Sequence, residues 1–187
     1  MRRITSVFLA GPDLFYPKGA ALIAEKKALC EAAGFIGVAG AEGKGRPVDP
    51  DEADARRLYA DALVQLRSCE ALIANLTPWR GPGCDPGTAF EAGFAAALGM
   101  PVFAYLNVAQ EDEADYRDRV EAYLGAELDR SGVWRDPDGC EIEDLGLAES
   151  LMIWAEARRL VVIVTPDPLE DTTGVEVCLE ALALYAD

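Results

Sequence analysis

Apolar and polar positions along the chain follow two periods in turn. Short, nearly continuous apolar runs occupy Ile4 to Ala10, Phe35 to Ala39, Ala71 to Leu76, Pro101 to Leu106 and Leu160 to Thr165. Runs of this length suit strands buried on both faces. Helical spacing fills the intervals. Between Ala20 and Ala33, positions Leu22, Ile23, Lys26, Leu29, Cys30 and Ala33 share a stripe that stops at Gly34. Glu52 to Ser68 places Leu58, Leu63 and Leu66 on one stripe. A third helix follows Asp85, and Thr173 to Tyr185 forms the last. The alternation predicts an α/β fold: a parallel sheet of about five strands with helices on both faces.

Residues 107–147 break the pattern. Asp112 to Leu128 reads as an acidic amphipathic helix, and Arg135-Asp136-Pro137-Asp138-Gly139 as a turn. A segment of that length between strands is a lid, an oligomer contact or decoration. With 187 residues and no internal repeat, one domain over 1–187 with an insertion or lid at about 107–147 is expected.

Composition removes whole classes of chemistry. The formal charge of −16 opposes binding to nucleic acid or to anionic membrane surfaces. There is no histidine, so Ser-His and Cys-His catalysis and the common zinc ligand sets are excluded. The five cysteines are scattered without a CxxC pair, so no disulfide framework is expected. The first apolar run ends at Gly11-Pro12-Asp13, too soon for a signal peptide, and a cytoplasmic location is expected. Neither GxGxxG after the first strand nor GxxxxGK[ST] occurs, so dinucleotide redox chemistry and NTP hydrolysis lack their phosphate cradles.

One stretch carries candidate chemistry: Cys84-Asp85-Pro86-Gly87-Thr88-Ala89-Phe90-Glu91-Ala92-Gly93. Asp85 followed by Pro86 starts a helix, with a side-chain oxygen for orphan N–H groups and proline at the first helical position. Glu91 interrupts the apolar run that follows. A carboxylate there needs partners or a shifted pKa, and its place early in the helix favours the ionised form. Such a group suits a nucleophile or general base. The plain alternatives are that Asp85 only caps and that Glu91 points to water. Functional crevices of open parallel sheets lie beyond the carboxyl ends of the strands. There the chain places the loops Ala10 to Gly19, Ala39 to Asp51, Asn75 to Asp85, and Leu106 onward, with Gly11, Phe15 and Trp79 among them.

Four motifs together make the chain resemble the nucleoside 2-deoxyribosyltransferases. They are Phe8-Leu9-Ala10-Gly11-Pro12-Asp13-Leu14-Phe15, Ala74-Asn75-Leu76-Thr77-Pro78-Trp79-Arg80-Gly81, Asp85 to Gly93, and Glu143-Asp144-Leu145-Gly146-Leu147 leading into Leu151-Met152. The resemblance implies a flavodoxin-like (Rossmann-like) sheet and a homo-oligomer whose neighbouring subunits share active sites. It implies transfer of a 2-deoxyribosyl group between nucleobases through a covalent glycosyl-enzyme, with no metal or organic cofactor. Nucleosides and nucleobases are the implied partners, and neither nucleic acid nor membrane. Glu91 falls on the nucleophilic glutamate and Asp85 on an active-site aspartate. Gly11, Pro12 and Phe15, with Tyr16 beside it, fall on the first substrate loop, and Asp49 and Asp51 near a base-contacting position. Trp79 is a stacking wall or a cover over the core.

Three positions depart from the family pattern. Phe8 stands where a tyrosine usually holds the nucleophile, and Tyr105 on the adjacent predicted strand is a candidate replacement. Ala62 stands where a polar residue faces the leaving base, so its neighbour Asp61 is the candidate there. Ser150 replaces the asparagine offered by a neighbouring subunit, as in related nucleoside 5′-monophosphate N-glycoside hydrolases. Hydrolysis of nucleosides or their 5′-monophosphates is therefore the alternative reaction. A nucleoside- or nucleotide-binding protein without catalysis is the alternative from another class.

Overall fold

The computed structural model describes residues 4–40 and 49–186. Five parallel strands form the central sheet: β1 (Ser6–Ala10), β2 (Ile36–Ala39), β3 (Ala71–Asn75), β4 (Val102–Val108) and, after two short strands described below, β7 (Arg159–Val164). Their spatial order is β2-β1-β3-β4-β7, the order of a flavodoxin-like sheet. The register pairs Val7 with Ala71, Leu72 with Val102, and Phe103 with Arg159.

Strand alternation divides the core between the two faces. On one face Val7, Leu9, Ile73, Phe103 and Tyr105 pack under α1 (Gly19–Ala32) and α6 (Thr173–Ala186). On the other, Phe8, Ala10, Leu72, Ala74, Ala104 and Leu106 pack under α2 (Glu52–Arg67) and α3 (Pro86–Ala97). Leu66, Leu72, Leu76 and Leu106 are wholly buried, each contributing about 1.5–3 kcal/mol relative to exposure. Gly174 at the head of α6 lies so close to the Tyr105 ring that any Cβ there would collide with it.

The segment after β4 differs from the expected long helix. A 3-10 turn (Glu111–Glu113) precedes α4, which spans only Tyr116–Leu124. Asp115 caps α4 by accepting from the Arg117 amide, and Gly125, at φ +82°, ends it. The residues that follow turn into an antiparallel pair, β5 (Glu127–Leu128) and β6 (Trp134–Arg135). A short helix, α5 (Leu151–Glu156), unforeseen from the pattern, then lies against α3. Arg119 pins the excursion: its buried guanidinium donates to the carbonyls of Pro82 (2.7 Å), Glu113 (2.9 Å) and Ala148 (2.7 Å) and lies 3.5 Å from Glu149. No described helix is long and apolar enough to cross a membrane.

Candidate active site

With β1 between β2 and β3, the connections leave the sheet in opposite directions and open a crevice at the carboxyl ends of β1 and β3. The chain enters it twice. After β1, Gly11 leads into a 3-10 turn over Pro12–Phe15. A Cβ on Gly11 would stand 2.5 Å from Asp13 Oδ2 and 2.8 Å from Asn75 Cβ, so the close approach of loop and strand requires glycine. After β3, the Trp79 amide donates to the Gly83 carbonyl, and between them Arg80 adopts a left-handed φ of +57°.

Glu91 is the sixth residue of α3, half-buried, and among the described residues it has no hydrogen bond or ion pair. Burial, and secondly the negative charge of Asp85, push its pKa up to about 7. The helix dipole therefore does not hold it ionised; that influence fades beyond the first turn, and desolvation dominates. A Cβ on Gly40, at the end of β2, would sit 3.4 Å from the Phe8 ring, 3.8 Å from Glu91 Oε1 and 3.9 Å from Ala62 Cβ. The two positions where the resemblance places polar groups thus present apolar atoms to the carboxylate's surroundings. Phe8, at 0% exposure, forms the floor beneath it.

Asp85 caps α3: its Oδ2 accepts from the Thr88 amide (2.8 Å) and hydroxyl (3.1 Å). Its charge also reaches Glu91, so the cap and the site share one residue. Phe15 is 44% exposed and stacks on Trp79 at 6.0 Å between centroids, with Tyr16 on the same indole at 5.5 Å and the Arg80 guanidinium over it at 4.8 Å. Pro12 is buried. The Tyr16 hydroxyl, close to Asn75 and Asp13, makes no hydrogen bond of good geometry.

The remaining candidates stand further out. Asp51 is exposed and serves as N-cap of α2, accepting from the Asp54 amide at 2.8 Å, and Asp49 is exposed just before it. Residues 41–48 of that predicted loop lie outside the described residues. Asp61 is half-buried on α2, about 100° around the helix from Ala62. Ser150 heads α5, which lies against Ala89, Ala92, Gly93 and Ala96. Those residues face away from Glu91 around the α3 axis.

Tyr105 does not orient Glu91. It lies on the opposite face of the sheet, and its hydroxyl is 2.6 Å from Lys26 Nζ. That contact belongs to a buried network the sequence reading missed. Lys26 Nζ donates to Asp13 Oδ1 at 2.6 Å, Asn75 Nδ2 donates to the same oxygen at 2.9 Å, and the Thr77 amide donates to Asn75 Oδ1 at 3.1 Å. Burial draws the Lys26 pKa down, and the Asp13 carboxylate opposes it. The signal was visible in Lys26 itself, a cation on an apolar helical stripe.

A family model, that of nucleoside 2-deoxyribosyltransferase, matches residues 7–152. The chain belongs to the nucleoside 2-deoxyribosyltransferase family. The chain is also similar to the uncharacterised protein C191.05c of Schizosaccharomyces pombe, 30% identical over 164 residues, covering 80% of this chain and 75% of the relative. Among solved structures, the 2-desoxiribosyltransferase from Leishmania mexicana superposes with a TM-score of 0.66 at 23% identity, over 97% of this chain and 98% of the other. A conserved protein from Enterococcus faecalis V583 gives 0.53 at 18% identity, over 96% and 99%. These superpositions establish the flavodoxin-like sheet, and family membership places the chain among enzymes of the nucleoside deoxyribosyltransferase type.

Proposed function

We propose that the protein transfers a 2-deoxyribosyl group between nucleobases, with Glu91 as nucleophile. The observation that carries this reading is a half-buried carboxylate with pKa near 7, without a hydrogen bond or ion pair among the described residues, in the matched helix of the family. The ionised Glu91 oxygen attacks C1′ as the C1′–N bond breaks, through an oxocarbenium-like transition state, and the departing base takes a proton from solvent that the incoming base returns in the second step. The covalent glycosyl-Glu91 is then opened by a second base, with net retention. A carboxylate of pKa about 7 is a better leaving group than an alkoxide and a stronger nucleophile than an ordinary carboxylate. The Phe15–Trp79 pair supplies a wall on which a planar base stacks. Asp85 lies at the head of the same helix, and its charge favours the cationic transition state.

The oligomer follows from α5. Because α5 approaches α3 on the side turned from Glu91, Ser150 contributes to a sugar site in a neighbouring subunit. The exposed Leu151, Met152 and Trp154 give that helix an apolar face for the contact. Ser150 also favours a second reading, N-glycoside hydrolysis, in which water replaces the incoming base.

Incubation with 2′-deoxynucleosides or their 5′-monophosphates, with and without a second free base, separates the outcomes. Exchange product supports transfer, free sugar supports hydrolysis, and turnover of neither supports a binding protein. Glu91→Ala should abolish both reactions while the circular dichroism spectrum is unchanged. A 2-fluoro-2-deoxyribosyl substrate should leave its sugar on Glu91, and mass spectrometry that finds it elsewhere rejects the assignment.

A further inference from the structure

A small cavity of about 30 Å³ is lined by Glu91 together with Asp13, Lys26, Leu9, Leu14 and Ala39. Asp13 and Lys26 are 4% and 3% exposed. Burying such a pair is seldom favourable against apolar residues of the same size. The geometry of the pair is also one-sided. Among the described residues, both hydrogen bonds to the Asp13 side chain end on Oδ1, from Lys26 and from Asn75. Oδ2 stands against Gly11, in the space a Cβ there would fill, and Gly11 lines the same cavity.

We propose that Asp13 Oδ2 accepts a hydrogen bond from a hydroxyl of the substrate's deoxyribose, and that Lys26 is the positioning residue that fixes this carboxylate. The inference rests on the reading of Glu91 as the group that meets C1′. The occupant follows from the chemistry of the walls. An ionised carboxylate only accepts, so the ligand group must donate. The space holds about one water-sized group, too little for a base ring. A phosphate is disfavoured because both Asp13 and Glu91 are carboxylates. A sugar hydroxyl meets all three conditions, and Glu91, which lines the same cavity, is the group that meets the anomeric carbon of the same sugar.

The test compares a 2′-deoxynucleoside with its 3′-deoxy and 5′-deoxy analogues, reading kcat/KM for exchange or hydrolysis. The wild-type protein should discriminate against one analogue by about 10- to 100-fold, the range for a hydrogen bond to a charged group. The double variant Asp13→Asn/Lys26→Met, which removes both charges and leaves neither buried alone, should lose a similar factor on the parent nucleoside. It should no longer discriminate against that analogue. A structural pair would slow all three substrates alike, so discrimination that survives in a folded double variant overturns the proposal. Equal rates of the wild-type protein on all three substrates overturn it without any variant. A wild-type protein that is inactive on every deoxynucleoside overturns the reading of Glu91 and this inference together, whereas activity without discrimination overturns this inference alone.

Discussion

Two buried ion pairs among the described residues, Arg119–Glu149 and Lys26–Asp13, are built to different ends. Arg119 spreads its guanidinium over the carbonyls of Pro82, Glu113 and Ala148, and its carboxylate partner stands 3.5 Å away. Among the described residues the hydrogen bonds of Lys26 Nζ go to side chains, Asp13 and Tyr105, both at 2.6 Å, and Lys26 borders a cavity. A planar fork with five donors can fix the course of three chain segments at once. An ammonium is a point charge, suited to holding one carboxylate in one place. The first pair fixes the chain and the second fixes a site, although exposure alone would class them together.

The largest effect should come from breaking the first. Arg119→Met leaves Glu149 buried without its counter-charge and frees three carbonyls, and should cost about 3–5 kcal/mol, read as a fall in the urea midpoint. Substrate discrimination by the folded fraction should be unchanged; a change there, with stability intact, would invert the comparison. Glu91→Gln sharpens it from the site's side. Because the folded-state pKa of Glu91 is raised to about 7, the wild-type protein loses stability as pH rises from the ordinary glutamate range through 7. Glutamine carries no such charge. The variant should be more stable at pH 8 by about 2 kcal/mol, allowing for partial exposure, with the gap closing as pH falls toward 5.

Asp85→Asn should act on rate more than on stability, since asparagine caps nearly as well. Removing the second cause of the Glu91 shift lowers its pKa. The acid limb of the glycosylation step, with a midpoint near 7 in the wild-type protein, should therefore move to lower pH. An unmoved limb in pre-steady-state kinetics would separate Asp85 from the nucleophile. Phe8→Tyr should have the smallest effect. A hydroxyl at that ring tip can donate to Glu91, lowering its pKa and changing rate by about threefold, while the added atom costs about 1 kcal/mol in a fully packed floor. Tyrosine that is strongly harmful to the fold would show that the space toward Gly40 is closed.

The regular part of the molecule was legible because each strand and helix carries its own pattern. Asp85-Pro86 marked the start of α3 to the residue, and Glu91 announced itself as a charge in an apolar helix. The 109–150 segment was not legible, because its shape is held by Arg119 reaching to Pro82 and Ala148 and not by periodicity. Tyr105, a candidate to orient Glu91, faces other neighbours for a related reason. Side chains alternate along a strand, so its face depends on pairing register. Phe8 aligns with Leu72 and Leu72 with Val102, which puts Tyr105 on the other side. Lys26 and Asp13 were both in view in the sequence, but only the topology brings α1, the first loop, β3 and β4 to one point.

The all-parallel order of the sheet has a consequence for how the chain reaches this state. Every strand pair needs a crossover, so no hairpin can seed the sheet, and β4 meets β7 only after the whole 109–158 excursion has closed. Topologies of this kind fold slowly for their size and leave strand edges uncovered meanwhile. Here the charge of −16 acquires a second use. Partly assembled chains of like charge repel one another while their strand edges are uncovered.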